Sequence, residues 1–243
     1  MHDSARLEKI NDARYTIIVG SDNWPIPVPV VQKGGKWSFD TKAGLEEVTN
    51  RRIGEDELSA IATCRAYAVA QWEYFTEGDW DRDGVAEYAQ KLLSTPGKHD
   101  GMYWETAEGD TPSPLGRLVA AASAEIHAPA QPASAAVVKR ASSKEPSALV
   151  RAPYHGYDFK ILTRQGPHAP GGAYSYIING NMIAGYALVA FPDEWGSSGA
   201  MTFIINQQGR VYEKNLGRDT GKIVSTMTAY NPDPSWKLVP AEP

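Results

Sequence analysis

The chain has 243 residues, 42% of them hydrophobic and 10% aromatic, and its 24 Lys and Arg against 29 Asp and Glu give a net charge of −5. This length and apolar content suit one large domain or two small ones with a buried core, and they exclude a chain that is disordered throughout. The acidic balance argues against a general nucleic-acid-binding protein, which carries a basic face. The single Cys excludes an intramolecular disulfide and a zinc site built from several thiolates. No stretch of about 18 consecutive apolar residues occurs, so the sequence predicts no transmembrane segment.

Residues 1–40 are predicted to form a short β-meander of three strands, which looks incomplete as a domain. The run Tyr15–Gly20 is rich in β-branched residues and ends at a turn cluster. Prolines at alternate positions of Trp24–Val31 predict an edge strand or an extended crossing. Gly34 and Gly35 then turn the chain into a third strand, Lys36–Phe39.

Residues 41–126 are predicted to be a helical region that contains an acidic loop. Asp40 or Thr41 caps a first helix that ends at Gly54. A second helix begins with the acidic residues 55–57, which suit the positive end of the helix dipole. It carries an amphipathic stripe that is expected to face a core. The stripe consists of Leu58, Ile61, Cys64, Ala68, Trp72 and Phe75.

Two further helices are predicted at Gly84–Leu93 and Leu115–Ile126. Residues 127–153 are rich in Ala, Pro and Ser and indicate a long surface loop or linker.

Residues 154–243 are predicted to form an antiparallel sheet, because their connections are too short for helical crossovers. The fold class is therefore α+β, a long amphipathic helix packed on an antiparallel sheet, with residues 41–243 as one domain. The predicted strands are Gly156–Leu162, Tyr174–Ile178, Tyr186–Phe191, Met201–Asn206 and Arg210–Lys214, with a hairpin turn at Asn206–Gly209.

The acidic loop is the candidate metal site. Asp79, Asp81 and Asp83 alternate along it, Gly84 permits a sharp bend, and Glu87 follows. Carboxylates spaced in this way converge on one point, which suits a calcium ion. The position that should supply a bidentate Glu in an EF-hand loop is a neutral Gln, although Glu87 could substitute in a shorter loop. The alternative interpretation is a solvated acidic turn that caps the following helix, with Asp83 as the N-cap.

Other reactive residues carry weaker signals. His155 lies at a loop-to-strand junction, where a catalytic base could stand, but packing on an aromatic cluster is the favoured interpretation. Cys64 lies in the apolar stripe and is interpreted as an inert core residue. Trp80, Trp104 and Trp195 could form a stacking platform for sugars, although Trp rings in loops more often cover a core.

Several segments resemble the DUF2950 family, a group of exported bacterial proteins of unknown function. The resemblance is carried by GGKWSFDTKAGLEEVTNRRIGEDELSAI, CRAYAVAQWEY, DRDGVAEYAQKLLSTPGKHDGMYW, SPLGRLVAAA, PYHGYDFKILTRQG and MIAGYALVAFPDEWGSSGAMTFIINQQGRVYEKNLG, in the order of the family. It implies a periplasmic or secreted protein whose secretion signal and further N-terminal segment are missing here. It implies no activity and no catalytic residues.

A second resemblance concerns architecture. The segments AVAQWEY, HGYDFKIL and ALVAFPDEWGSSGAMTFIINQQGRVY are similar to the soluble parts of type IV pilin-like and pseudopilin proteins. The resemblance implies a long helix on an antiparallel sheet and, in some members, calcium in a loop. Arg65 and Glu73 make the helix Leu58–Phe75 too polar for a filament subunit. The first forty residues are similar to the closing strands of a domain of the nuclear-transport-factor-like (NTF2-like) type.

These observations favour a non-enzymatic exported module that binds or assembles at the cell envelope, with an envelope protein or a glycan as partner. The rival hypothesis is a hydrolase or carbohydrate-active protein that uses acids of residues 79–87 with His155. It requires these side chains within about 10 Å in one cleft, the span of paired catalytic carboxylates. A third hypothesis is a purely structural domain stabilised by calcium.

Overall fold

The computed structural model describes residues 5–78, 80, 84–104, 106, 109, 111–116 and 153–241. By its internal contacts the chain divides into two compact units, residues 1–55 and 56–243.

The N-terminal unit contains a five-stranded antiparallel sheet. Its strands are β1 (Ala5–Asn11), β2 (Arg14–Val19), β3 (Trp24–Pro25), β4 (Val30–Lys33) and β5 (Lys36–Phe39). The order is β1-β2-β4-β5, and β3 pairs with β2 as a short additional strand. The sequence analysis missed β1 because its residues ARLEKIN are mostly charged or polar, and all seven are exposed. In the proline-rich stretch Trp24–Val31, only residues at the two ends belong to strands, because proline has no N–H to donate to a neighbouring strand.

One helix, α1, spans Thr41–Glu77, so the prediction of two helices separated at Gly54 is wrong. The predicted start is confirmed, because the Ala43 N–H donates to Oδ1 of Asp40 at 3.3 Å. Gly54 lies inside the helix, where glycine costs only about 1 kcal/mol relative to alanine. That cost is small beside the burial of Cys64, Tyr67 and Tyr74 in the following turns of the helix. The acidic residues 55–57 therefore do not stand at a helix N-terminus.

The side of α1 that enters the core differs from the predicted stripe. Leu58 and Trp72 are 55% and 60% exposed, whereas Cys64 is fully buried as predicted. Ile61 and Ala68 pack at the margin of the core. Because α1 has apolar residues on more than one side, their spacing alone did not identify the buried side. The most deeply buried positions of the helix are Ala60, Cys64, Tyr67, Ala70, Gln71 and Tyr74.

Residues 84–92 are not helical, so the helix predicted for Gly84–Leu93 is wrong. The Tyr88 N–H donates to the Met182 carbonyl at 2.8 Å, and the Ala89 N–H donates to Oε1 of Gln71 at 2.8 Å. Donors engaged in this way are not free for the i→i−4 bonds of a helix. Residues 115 and 116 are helical, and the rest of the predicted helix Leu115–Ile126 lies outside the described residues. The linker predicted at 127–153 also lies outside them, except for Pro153.

The C-terminal unit is built mainly on antiparallel strands. Four of them follow the predicted segments within about two residues, whereas the predicted strand Tyr174–Ile178 is divided into two short strands of different sheets. The described strands are β6 (Tyr157–Leu162), β7 (Arg164–Gln165), β8 (Tyr174–Ser175), β9 (Ile177–Ile178), β10 (Asn181–Met182), β11 (Ala187–Pro192), β12 (Thr202–Asn206), β13 (Tyr212–Lys214), β14 (Ala229–Tyr230) and β15 (Lys237–Leu238). The main sheet has the order β15-β13-β12-β11-β6, and every neighbouring pair in it is antiparallel. The predicted hairpin turn is confirmed: Gly209 has φ 71°, and its N–H donates to the Asn206 carbonyl at 2.9 Å.

Smaller elements surround this sheet. Strands β14, β7 and β8 form a three-stranded sheet in which β14 and β7 run parallel, and β9 pairs with β10. A 3₁₀ turn at Gly217–Asp219 leads into a short helix, α2 (Thr220–Thr226). The sequence analysis identified neither α2 nor the parallel pair, because two-residue strands and a seven-residue helix carry too little periodicity.

The core of the C-terminal unit joins α1 to the main sheet. Tyr67, Leu188, Phe203 and Ile205 belong to one cluster of buried side chains. The Tyr186 hydroxyl donates to the Ala68 carbonyl at 3.0 Å, which ties the start of β11 to the helix. An α+β architecture with one long helix and antiparallel sheets is therefore confirmed. Within the described parts of the chain, no helix is long and apolar enough to cross a membrane.

Candidate functional site: an apolar cavity of the C-terminal unit

Only one of the four predicted calcium ligands can be placed. Asp79, Asp81 and Asp83 lie outside the described residues. Oε2 of Glu87 accepts hydrogen bonds from the Met182 N–H at 2.9 Å and from Nε2 of Gln90 at 3.0 Å. Glu87 thus fastens its segment to β10. Among the residues that the structure describes, no three His, Cys, Asp or Glu side chains are grouped closely enough to hold a metal ion.

Gln71 holds the same segment from the other side. Its Oε1 accepts from the Ala89 N–H at 2.8 Å, and its Nε2 donates to the Ala89 carbonyl at 2.9 Å. The Gln71 side chain is fully buried, so this paired contact replaces water for both backbone groups of Ala89. Nε2 also donates to the Tyr67 hydroxyl at 2.8 Å. The non-helical segment after the acidic loop is therefore fixed by side chains of α1.

His155 lies in a tight turn immediately before β6. It has φ 48°, and its ring packs edge-on against Tyr154 with 4.4 Å between the ring centroids. This contact agrees with the aromatic packing favoured for His155 from the sequence.

The tryptophans considered as a sugar platform do not form one exposed surface. Trp104 is only 6% exposed, and its ring lies 5.2 Å from that of Trp80 and 4.2 Å from that of His99, centroid to centroid. Nε1 of Trp195 donates to Oδ1 of Asn215 at 3.0 Å. Trp80 and Trp104 therefore cover a core, as the alternative interpretation proposed.

A cavity of about 340 Å³ opens between the core side of α1, the segment 92–116 and the start of the main sheet. This volume falls within the range of about 300–1,000 Å³ typical of small-molecule sites. Its walls are almost wholly apolar or aromatic. The lining residues are Thr63, Tyr67, Leu92, Leu93, Tyr103, Leu115, Gly116, Tyr154, Phe159 and Leu188.

The two hydroxyls that α1 contributes to these walls have hydrogen-bond partners, and the Tyr67 hydroxyl accepts from Nε2 of Gln71 at 2.8 Å. The Thr63 hydroxyl donates to the Ser59 carbonyl at 2.8 Å, one turn earlier in α1. Burial raises the pKa of the Tyr67 phenol far above its usual value, so the phenol stays neutral. No Asp, Glu, His, Lys, Arg or Cys is among the described residues that line the cavity. The described part of the walls can accept an apolar group, but it supplies no carboxylate, imidazole, amine or thiol for acid–base or nucleophilic chemistry.

A second depression of about 450 Å³ adjoins the cavity and shares Leu92, Leu93, Tyr154 and Phe159 with it. Gln90, Asp158 and Lys160 also line it. Side chains alternate along β6, so the side chains of Asp158 and Lys160 lie on the opposite face of the strand from Phe159. Nζ of Lys160 donates there to the carbonyls of Val224 and Ser225, each at 2.9 Å. The side chains that the two depressions share are therefore apolar or aromatic.

The sequence analysis missed this cavity because its walls come from four separated parts of the chain. One partial signal was present in β6. The alternation of Tyr157, Phe159 and Ile161 was recognised, and Phe159 is a wall residue. The spacing of Thr63 and Tyr67 by four residues on α1 is a second signal that was not used.

A family model for proteins of unknown function, DUF2950, matches residues 1–239. No curated protein and no solved structure matches the chain. The match extends beyond the segments that carried the resemblance, and it includes all five strands of the N-terminal sheet and α1. This chain therefore belongs to the DUF2950 family.

Proposed function

We propose that this chain is a non-enzymatic binding module of the bacterial cell envelope and that the apolar cavity of the C-terminal unit receives its ligand. The observation that supports the proposal is the composition of the cavity walls. Aliphatic and aromatic side chains favour an apolar group by removing it from water, at about 25 cal/mol per Å². The adjoining depression shares Leu92, Leu93, Tyr154 and Phe159 with the cavity, which extends the apolar surface open to such a ligand.

The envelope location and a pilin-like arrangement belong to this proposal. The location is inferred from the exported character of the family that the sequence resembles. The pilin-like arrangement is supported by the burial of Tyr67 and Tyr74 of α1 in one cluster with strands β11 and β12. The NTF2-like origin of residues 1–40 stays a prediction.

A fluorescent apolar probe, 1-anilinonaphthalene-8-sulfonate, tests the cavity directly, with lauric acid as a competitor. We expect saturable fluorescence enhancement that lauric acid reverses. Leu93 lines the cavity and is 45% exposed, so Leu93→Arg should place a charge at the opening without disturbing the core. This variant should weaken probe binding at least tenfold. Leu238→Arg, at a 54% exposed position of β15, is the matched control and should bind like the wild type. Equal binding by Leu93→Arg and the wild type would contradict the proposal.

Calcium at Asp79, Asp81, Asp83 and Glu87 is a separate part of the proposal. Thermal melts in EDTA, in excess calcium and in excess magnesium test it. Binding to the folded state at about one hundred times the dissociation constant adds about 2.7 kcal/mol to the free energy of unfolding. We expect a calcium-specific rise in Tm that Asp81→Ala removes and that Asp193→Ala, an exposed control, retains. An unchanged Tm in calcium would identify the loop as an ordinary acidic turn.

The rival hydrolase hypothesis stays a prediction, because three of the acids that it requires beside His155, Asp79, Asp81 and Asp83, lie outside the described residues.

A further inference from the structure

One face of the N-terminal sheet carries large apolar side chains on the side away from α1. Paired residues of neighbouring strands point to the same face of a sheet. The pairs Leu7–Ile17, Tyr15–Val30 and Val30–Phe39 therefore lie together, and the Gln32–Trp37 pair continues the same face. We call the surface formed by Leu7, Tyr15, Ile17, Val30, Trp37 and Phe39 the aromatic face.

The opposite face of this sheet is the one that meets α1. Arg14, Thr16 and Pro25 lie on it and line a cleft together with Glu47 and Arg51 of the helix. Nη1 of Arg51 donates to the Pro25 carbonyl at 2.8 Å across this cleft. The helix therefore covers one side of the sheet, and the aromatic face is the other side.

The aromatic face is strongly exposed. Leu7, Trp37 and Phe39 are 63%, 46% and 59% exposed. Since an aromatic side chain can bury about 150–250 Å², each of the two rings still offers on the order of 100 Å² to a partner. With the neighbouring aliphatic side chains the patch reaches a few hundred Å², a size that marks interaction sites on soluble proteins.

The charges of this unit do not oppose self-association. Residues 1–55 contain eight Lys and Arg and eight Asp and Glu, so the net charge of −5 on the whole chain does not come from the unit that carries the aromatic face. The register of β1, β2, β4 and β5 places one charged side chain, Lys9, on the aromatic face, and its Nζ already contacts Oδ1 of Asp12 at 2.6 Å. Packing the face against a second copy therefore buries no unpaired charge.

The geometry also suits a second copy better than a sugar. The Tyr15 and Trp37 rings meet edge to face at 72°, so they do not offer one flat stacking platform. An antiparallel sheet face can instead pack on its own two-fold copy at a spacing of about 10 Å, as in a β-sandwich. Two such patches together bury close to 1,000 Å², near the lower limit of specific interfaces.

We propose that the aromatic face is a homodimer interface in which the N-terminal sheets of two copies pack face to face. An area near this lower limit suits a weak dimer, which must be sought over a wide range of concentration. Sedimentation equilibrium of the full chain between about 2 and 200 μM tests the proposal. We expect the average mass to rise from 26.5 kDa toward twice that value across this range.

Two variants test the surface, and a third is the control. Phe39→Asp and Leu7→Asp place a charge on the aromatic face at exposed positions, so both variants should fold and show the wild-type circular dichroism spectrum. Each should raise the dissociation constant of the dimer at least tenfold. Leu45→Asp changes a residue of α1 that is 70% exposed and does not lie on the sheet, and it should dimerise like the wild type. A wild-type chain that stays monomeric at 200 μM would overturn the proposal, and so would a loss of dimer in Leu45→Asp equal to that in Phe39→Asp.

Discussion

Two buried glutamines supply the hydrogen bonds that irregular segments of the C-terminal unit cannot make for themselves. Gln71 binds both backbone groups of Ala89. Nε2 of Gln165 donates to the carbonyls of Pro170 and Gly172, each at 2.7 Å. Both side chains are fully buried, and each fixes a loop that has no regular secondary structure. A buried amide is costly unless it is bonded, so these residues specify which loop packs where.

Replacement of Gln71 by leucine should destabilise the protein markedly. Gln71→Leu leaves the buried N–H and carbonyl of Ala89 without partners, and each unsatisfied buried group costs about 1–3 kcal/mol. We expect the free energy of unfolding to fall by about 2–4 kcal/mol in urea titrations. Gln208→Leu, the same change in the exposed hairpin turn, should alter it by less than about 0.5 kcal/mol. Equal effects of the two substitutions would refute this role of Gln71.

The stability of the C-terminal unit depends on the ionisation of Asp100. Partial burial would raise the pKa of Asp100, but hydrogen bonds from Nζ of Lys91 and from Thr95 outweigh it and lower this pKa to about 2. Its folded-state pKa lies below the ordinary value of 3.8, so its contribution to stability is present above that pH and is lost as the pH falls toward 2.

Asp100→Asn should therefore destabilise the protein at pH 7 and by roughly half as much at pH 3, where the carboxyl group of the unfolded chain is already largely protonated. At pH 7 we expect a loss of about 1–2 kcal/mol, because the charge-assisted bond from Lys91 disappears. Urea titrations of wild type and variant at both pH values measure the difference. A penalty that does not change between pH 7 and pH 3 would show that ionisation of Asp100 is not its cause.

At the scale of elements, the helix α1 contains two interior glycines, and their surroundings differ. A Cβ added at Gly54 would meet nothing within 4 Å, whereas one added at Gly44 would lie 2.6 Å from Cγ2 of Val28. The close approach of α1 to Val28 therefore requires a glycine at position 44, whereas position 54 has room for a side chain.

The two glycines predict substitutions of opposite sign. Gly54→Ala should raise the free energy of unfolding by about 0.5–1 kcal/mol, because alanine loses less backbone entropy in a helix. Gly44→Ala should lower it, since the new methyl group would collide with Val28. Paired urea or thermal melts measure both changes. Destabilisation by Gly54→Ala would mean that α1 bends or opens at this position.

For the whole molecule, burial is distributed very unevenly. Strands β11 and β12 are buried along almost their whole length, whereas every residue of β1 and of β5 is exposed. Local opening is easiest where few apolar contacts must be broken. The main sheet of the C-terminal unit should therefore open last, and the outer strands of the N-terminal sheet first.

Native-state hydrogen exchange checks this order, with the Phe39→Asp variant used to keep the chain monomeric. Amides of β11 and β12 should exchange most slowly, at rates set by global unfolding. Ladder-bonded amides of β1 and β5 should exchange faster by at least two orders of magnitude, which corresponds to about 2.7 kcal/mol. Protection of β1 equal to that of β12 would contradict the inferred difference in stability.

Local sequence determined the elements whose signals lie within a few residues. The start of α1 followed from Asp40, and the hairpin at Asn206–Gly209 followed from its turn residues. The main strands followed from apolar segments that are bounded by Gly, Pro or Asn. The burial of Cys64 also followed from its place among apolar residues. The family resemblance came from the order of such local motifs, and the match over residues 1–239 confirms it.

Only the tertiary structure decided the features that depend on distant partners. The segment 84–92 has the composition of a helix, but its backbone donors bond to Gln71 and Met182 instead. The buried side of α1 was decided by the sheet that packs on it, because the helix has apolar residues on more than one side. The cavity unites residues from 63 to 188, and the aromatic face depends on the register of four strands. Local periodicity carries no information about such pairings, since their free energy arises only when separate segments come together.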